Sequence, residues 1–359
     1  MRLPVPRPRD WLLLAVAVAV AVVGVVALTS DPSPRLPSGA PADAARPMRT
    51  RPPGTPPPVR PRIGVVATRR STVVRVVPSA DGEIASVIRA GILLPIRAES
   101  NGYVRVETPC EFDGWIPRRD VTFEEPSAET AVALPGATIV IDPGHGGIDS
   151  GAVGPKGLME KAVNLDLSRR LQTLLAPARV LLTRAGDYTA GLDYRTDIAT
   201  AIGAQLFVSV HNNSSPDIRT DIPGSETFYQ QHSTSSRRLA GLTYEELLRT
   251  LQVFKGIPWV AERDAGAKYR LNERGGDYYH VLRTSRPPAV IVEGLYISNP
   301  PEEALLARED VRDLMARALA RAITRYIATK DPGSGFVTKP LPRASGSVYV
   351  TPSTCRDPA

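Results

Sequence analysis

The chain has 359 residues, 42% of them apolar, enough for one large domain and a small one. Its net charge of +7 resides in the first 72 residues, which carry +8 and leave −1 for the remainder. A nucleic-acid-binding domain carries its basic patch on the fold, so a basic tail excludes that class and leaves only a weaker attraction to anionic lipid or polymer. The cysteines are Cys110 and Cys355, with no CxxC spacing, which excludes a cysteine-based metal site.

In chain order, Trp11 to Thr29 is uncharged and follows Arg2, Arg7 and Arg9. About 18 apolar residues cross a bilayer, whereas a signal-peptide apolar region is usually ~7–15. Ala-x-Ala patterns at 40–42 and 42–44 lie well beyond the apolar run. We therefore expect an uncleaved transmembrane signal anchor over 11–29, with secretion after cleavage as the alternative. Arg35, Arg46 and Arg49 on the far flank leave the charge rule undecided. The short leading tail places residues 1–10 in the cytoplasm and the bulk of the chain outside.

Residues 30–61 are a spacer. Eleven prolines fall between Pro32 and Pro61, with almost no large apolar side chain, so the segment stays disordered or extended. Over 62–125 the texture changes to short β-branched runs at 64–68, 72–77, 84–88, 92–96 and 103–108. Turn formers such as Ser79-Ala-Asp-Gly82 and Glu99-Ser-Asn-Gly102 separate them, which predicts a small β-barrel. The run from Val73 to Gly91, the strand Tyr103-Val-Arg-Val-Glu107 and Gly114-Trp-Ile-Pro117 together resemble the bacterial SH3-like family of wall-binding modules. The plainer alternative is a generic barrel with Trp115 in its core. No candidate catalytic group lies here, so removing 62–125 is expected to leave the chemistry of the rest of the chain largely intact.

From 137 to 329 strand and helix patterns alternate. Apolar runs at 138–141, 180–182, 206–210, 227–229 and 289–292 lack polar alternation, as strands buried on both faces do. Val163, Leu167, Leu171, Leu174 and Leu175 recur at helical spacing, and 239–251 and 311–326 behave similarly. The order predicts an α/β fold with a mixed, mostly parallel sheet flanked by helices. After Lys330 the composition predicts a disordered tail over 330–359. Cys355 falls within it, so Cys110 is expected to be a small, partly buried residue, with pairing outside the cell left open.

The histidines are His145, His211, His232 and His280. His145 and His211 each follow an apolar strand, and ligands of open α/β sheets gather beyond the carboxyl ends of strands. Glu160, at the start of the first helix, reaches the same edge. Two histidines and one glutamate form a hydrolytic zinc set with one position left for water. Glu293 ends the strand over 289–292; a carboxylate idle there is costly, which makes it a candidate general base. Each residue also has an ordinary explanation. A single strand-end histidine is more often structural, Glu160 suits a helix amino terminus, and Glu293 could cap the next helix or pair with an arginine.

Ile139-Val-Ile-Asp-Pro-Gly-His-Gly-Gly147, Asp149-Ser-Gly-Ala152, Glu160-Lys-Ala-Val-Asn-Leu165 and Leu182-Thr-Arg184 resemble the zinc N-acetylmuramoyl-L-alanine amidase family. So do Leu206-Phe-Val-Ser-Val-His-Asn-Asn213, Pro288-Ala-Val-Ile-Val-Glu293 and Ile297-Ser-Asn-Pro300. The resemblance implies Zn2+ held by His145, Glu160 and His211, with Glu293 catalytic. It also implies peptidoglycan as partner, cut between N-acetylmuramic acid and L-alanine. His232 and His280 match no ligand. Asn212 and the order Glu293-Gly-Leu-Tyr296 depart from the family pattern without touching a candidate ligand, and the second could change how the following loop lies. The implied place is the membrane surface, through the N-terminal helix. Oligomeric state is not legible.

Overall fold

The computed structural model describes residues 59–126, 133–215, 224–255, 265–337, 341, 343 and 351–359. The expected anchor over 11–29 lies outside them, as does the expected linker up to residue 58. Among the described residues no helix is long and apolar enough to cross a membrane.

The first sheet comprises β1 (Arg60–Thr68), β2 (Thr72–Arg75), β3 (Ile84–Ile88), β4 (Leu93–Ser100), β5 (Tyr103–Glu107), β6 (Asp113–Pro117) and β7 (Val121–Glu124). It runs in the order β3-β2-β6-β5-β4-β1-β7, antiparallel throughout. Alternation along β5 sends Val104 and Val106 into the core and leaves Tyr103 and Arg105 half-buried on the other face. Asn101 and Gly102 form the β4–β5 turn with φ of 49° and 74°, the paired positive values of a two-residue hairpin. Trp115 is buried, but as the register partner of Arg105 it lies on the face opposite Val104 and Val106.

The second sheet comprises β8 (Thr138–Pro143), β9 (Arg179–Leu182), β10 (Leu206–Asn213), β11 (Glu226–Tyr229), β12 (Gly266–Lys268) and β13 (Ala289–Tyr296), ordered β12-β11-β13-β10-β8-β9. Only the β11–β13 pair is antiparallel, so the sheet is mixed and mostly parallel, as expected. Its helices are α1 (Glu160–Leu174), α2 (Leu192–Ala201), α3 (Thr234–Leu251), α4 (His280–Thr284), α5 (Pro300–Leu306) and α6 (Glu309–Ala328). Apolar periodicity anticipates α1, α3 and α6. The other three are short or carry their apolar residues irregularly.

Alternation splits the central strands between two cores. Ile139, Ile141, Val208, Val210, Val290 and Val292 meet α1, α3 and α6 on one face. Val140, Phe207 and Ile291 point the other way, where they share a core with α2 and with Val65, Leu94 and Val104 of the first sheet. Tyr194 and Ile198 of α2 are fully buried there, and the Tyr194 hydroxyl donates to Leu93 O at 2.6 Å. Arg97 of β4 pairs with Asp197 of α2. The two sheets thus belong to one compact unit, Thr55–Ala359. This corrects the expectation that the small sheet is detachable: short strands spaced by turns look autonomous in sequence, but their inner face is completed by α2, which begins 68 residues after β7 ends.

The carboxyl-terminal segments correct a second expectation. Phe336 bridges to Ala267 of β12, and the Arg237 guanidinium lies 3.5 Å from the centre of its ring. Cys355 forms a disulfide with Cys110, with Cα atoms 5.8 Å apart, and Cys110 N–H donates to Asp357 Oδ1 at 3.0 Å. Composition predicts disorder because no apolar run is present. A covalent bond, one aromatic ring and pairing at a sheet edge hold these residues instead.

Candidate metal centre and active site

His145 sits in the loop that leaves β8, with φ of 61°. A non-glycine residue there costs about 1–3 kcal/mol and persists only where its surroundings impose it. Two buried arginines do so. Arg195 donates to Pro143 O at 2.8 Å and to His145 O at 2.9 Å; Arg184 donates to Pro143 O and Gly144 O, both at 2.9 Å. Arg195 is in turn anchored on Asp142 at 2.6 Å, and both side chains are almost wholly buried. Burial alone would raise the Asp142 carboxyl, but the Arg195 charge and bonds from Thr183 and Ser209 outweigh it and hold the group below the usual carboxylate range.

This frame aims both imidazoles at one carboxylate. His145 Nδ1 contacts Asp149 Oδ2 at 2.8 Å, which turns Nε2 to within 3.1 Å of Glu160 Oε2. His211 Nδ1 lies 3.0 Å from Glu160 Oε1, and the donor atoms of all three residues fall within 4.8 Å of one another. Gly144 makes room: a Cβ there would lie 2.2 Å from the His211 ring. Glu160, 3% exposed, also accepts from Ala152 N at 2.9 Å, Asn212 N at 3.1 Å and Asn164 Nδ2 at 3.1 Å. The structure therefore brings together the three residues that the sequence nominates.

The donor set suits a divalent cation. Burial disfavours the charged form of His145, but bonds to Asp149 and Glu160 prevail and push its pKa up to about 9. Burial likewise opposes ionisation of Glu160, yet the two histidines drive it far below its ordinary value. Metal ligation requires a neutral ring, so a cation here would displace the proton that these bonds hold on His145.

Glu293 arrives on β13 beside His211, its register partner on β10. Its Oε2 is buried and has no hydrogen-bond partner among the described residues. Burial raises its pKa well above the carboxylate range. The charges of Glu160 and Glu226 add to this, while His145 and Lys268 oppose it. Glu226 faces Glu293 across β11–β13 and pairs with Lys268 at 2.7 Å. A cavity of about 230 Å³ opens beside the two histidines, with Leu192, Tyr279, His280 and Val281 in its wall. His280 Nε2 contacts Asp193 Oδ1 at 2.7 Å, and neither His280 nor His232 joins the three-donor group.

Sequence reasoning gives no role to Asp142, Arg184 or Arg195. The first two lie in quoted motifs, but their task depends on a loop brought back from far along the chain. Arg195 carries no local signal at all.

Residues 139–325 match the Amidase_3 family, described as N-acetylmuramoyl-L-alanine amidase. N-acetylmuramoyl-L-alanine amidase LytC of Bacillus subtilis (strain 168) is 33% identical over 211 residues, which is 56% of this chain and 39% of LytC. The germination-specific N-acetylmuramoyl-L-alanine amidase of the same organism is 30% identical over 219 residues, 56% of this chain and 85% of that protein. Among solved structures, the catalytic domain of CwlV, an N-acetylmuramoyl-L-alanine amidase from Bacillus (Paenibacillus) polymyxa var. colistinus, is 32% identical. It covers 54% of this chain and 99% of that one, with a TM-score of 0.46. The chain belongs to the N-acetylmuramoyl-L-alanine amidase family.

Proposed function

We propose that the protein is a zinc-dependent peptidoglycan hydrolase that cuts the amide between the lactyl group of N-acetylmuramic acid and L-alanine. The carrying observation is the convergence of His145, Glu160 and His211 within 4.8 Å, in a chain of this family. His145, Glu160 and His211 would hold the metal. Zinc at these donors supplies a Lewis acid that lowers the pKa of water to about 7, and a positive charge that favours ionised Glu293.

The chain's own groups divide the remaining work. Asp149 fixes the His145 ring through Nδ1, so that Nε2 faces the centre. Glu293, with Oε2 free of partners, takes a proton from the attacking water. It then passes that proton to the departing L-alanine nitrogen, because an amide nitrogen leaves poorly unprotonated. Leu192 and Val281 form an apolar wall beside the site of this transfer.

Digestion of purified cell wall followed by mass analysis tests the reading. Free stem peptides with an L-alanine amino terminus are expected. Fragments cut inside the stem peptide would make it a peptidase, and an undigested wall would make it a binding scaffold.

Two finer features belong to the same proposal. The first sheet, read as SH3-like, serves wall binding; Val76, Val77, Ile84 and Val87 expose apolar surface around β2 and β3. Substituting them with serine should weaken sedimentation with insoluble wall, and unchanged sedimentation would discard the role. Residues 11–29 tether the chain to the membrane, with secretion after cleavage as the alternative. Fractionation with amino-terminal sequencing decides between them.

A further inference from the structure

Helix α2 lies behind the centre: its Arg195 holds His145 O at 2.9 Å, and Leu192 lines the cavity. The start of this helix has no cap of its own. Its N-cap residue is Gly191, which has no side chain to accept the free N–H groups of the first turn. The acceptor comes from the other sheet. Asp193 N donates to Glu111 Oε1 at 2.9 Å, and Gly191 N donates to Pro109 O at 2.8 Å. Glycine at 191 is what admits this contact, since a Cβ there would fall 2.1 Å from Glu111 Oε1.

Glu111 itself is held in an unfavourable conformation, with φ of 58°. An imposed left-handed backbone at a non-glycine residue points to a constraint from its surroundings. Here the backbone constraint is the β5–β6 hairpin turn, where Glu111 N donates to Thr108 O at 2.8 Å and Thr108 N to Phe112 O at 2.9 Å, and the carboxyl-terminal segment holds the side chain that this turn presents. Thr351 Oγ1 donates to Glu111 Oε2, and the neighbouring Cys110 is bonded to Cys355 and donates through its N–H to Asp357. Arg89 N donates to Pro358 O at 2.8 Å, which fastens the end of the segment to the same sheet.

We propose that Glu111 is a positioning residue of the active site, supplied by the small sheet. It caps α2, and so holds Leu192 in the cavity wall and Arg195 behind His145. The disulfide-fastened segment 351–358 is the strap that keeps Glu111 in place. On this account the small sheet shapes the pocket for soluble substrate as well as lying close to the wall.

The test uses the full chain and the variants Glu111→Ala, Glu111→Gln, Gly191→Ala and Cys355→Ser. One measurement is kcat and KM on a soluble muropeptide, which rests on the amidase reading above. The other is amide hydrogen exchange at Asp193, which does not. Losing a cap is expected to raise KM roughly five- to tenfold in Glu111→Ala, with kcat nearly retained, and to speed exchange at Asp193. Gly191→Ala should reproduce both changes by displacing the carboxylate. Cys355→Ser should move both in the same direction. Glu111→Gln keeps an accepting oxygen and should restore wild-type behaviour. A general loss of folded enzyme would instead lower kcat at unchanged KM. That pattern, or an Asp193 amide still protected in Glu111→Ala, or Glu111→Gln as impaired as Glu111→Ala, overturns the proposal. If the wild type does not cut muropeptide, the proposed function fails and the exchange measurement alone decides the role of Glu111.

Discussion

His211 and Glu293 stand side by side on neighbouring parallel strands, as register partners of β10 and β13. Side chains alternate across a sheet, so a slip of one residue would send either of them to the opposite face. The register places an imidazole that faces Glu160 next to a carboxylate oxygen with no partner among the described residues. On the proposed reading, metal binding and proton transfer fall on adjacent strands, and substitutions can separate them.

Glu293→Gln keeps the shape of the side chain and removes its ability to accept a proton. Zinc content and thermal stability should change little, while turnover falls by at least ~10²–10⁴-fold. Glu160→Gln replaces the proposed carboxylate ligand with a neutral amide, so zinc affinity and activity should drop together. Zinc stoichiometry and turnover measured on both variants check this. Loss of zinc from Glu293→Gln with retention in Glu160→Gln would reverse the two roles.

His145→Ala or His211→Ala should each sharply reduce zinc content, because each removes one of the three donors proposed to hold the metal. His232→Ala and His280→Ala should bind zinc as the wild type does. His280→Ala still loses the contact to Asp193 at 2.7 Å that ties α4 to α2. Metal analysis that finds His280 necessary and His211 dispensable would refute the assignment.

Deleting the small sheet should not leave a healthy catalytic domain. Tyr194 and Ile198 are fully buried in the core shared with that sheet. Fully burying one large apolar side chain contributes about 1.5–3 kcal/mol, and several would be uncovered at once. A chain beginning at residue 133 is expected to unfold at a markedly lower denaturant concentration or to aggregate. An unchanged midpoint in urea would mean that the shared core contributes little.

Glu107 makes stability depend on pH. Burial raises its pKa to about 7, with Asp197 and Glu111 adding to the shift and Arg97 opposing it. The folded value is thus above the unfolded value of about 4.3. The folded state binds the extra proton, so the contribution is fully present below the unfolded pKa and is lost as pH rises through about 7. The melting temperature should fall between about pH 4.3 and 7 on this account, and Glu107→Gln should flatten that part of the profile. A variant with the same slope as the wild type would assign it to another group.

What the sequence determined by itself was local. His145 and His211 were legible because a strand end is set by the few residues before it, and Glu160 because a helix start is. The mixed, mostly parallel sheet followed from unbroken apolar runs alternating with helical spacing. The turn at Asn101 and Gly102 was marked because only a few residue types accept a positive φ. Tertiary structure decided everything that joins distant segments. The Asp142–Arg195 pair spans 53 positions, the Glu111–Asp193 contact 82, and the Cys110–Cys355 bridge 245. No periodicity or composition encodes such contacts. They form because burying a charge requires a partner, and because the inner face of the small sheet needs a cover that its own strands do not supply. For the same reason residues 351–359 looked disordered in sequence and are held in place in the fold.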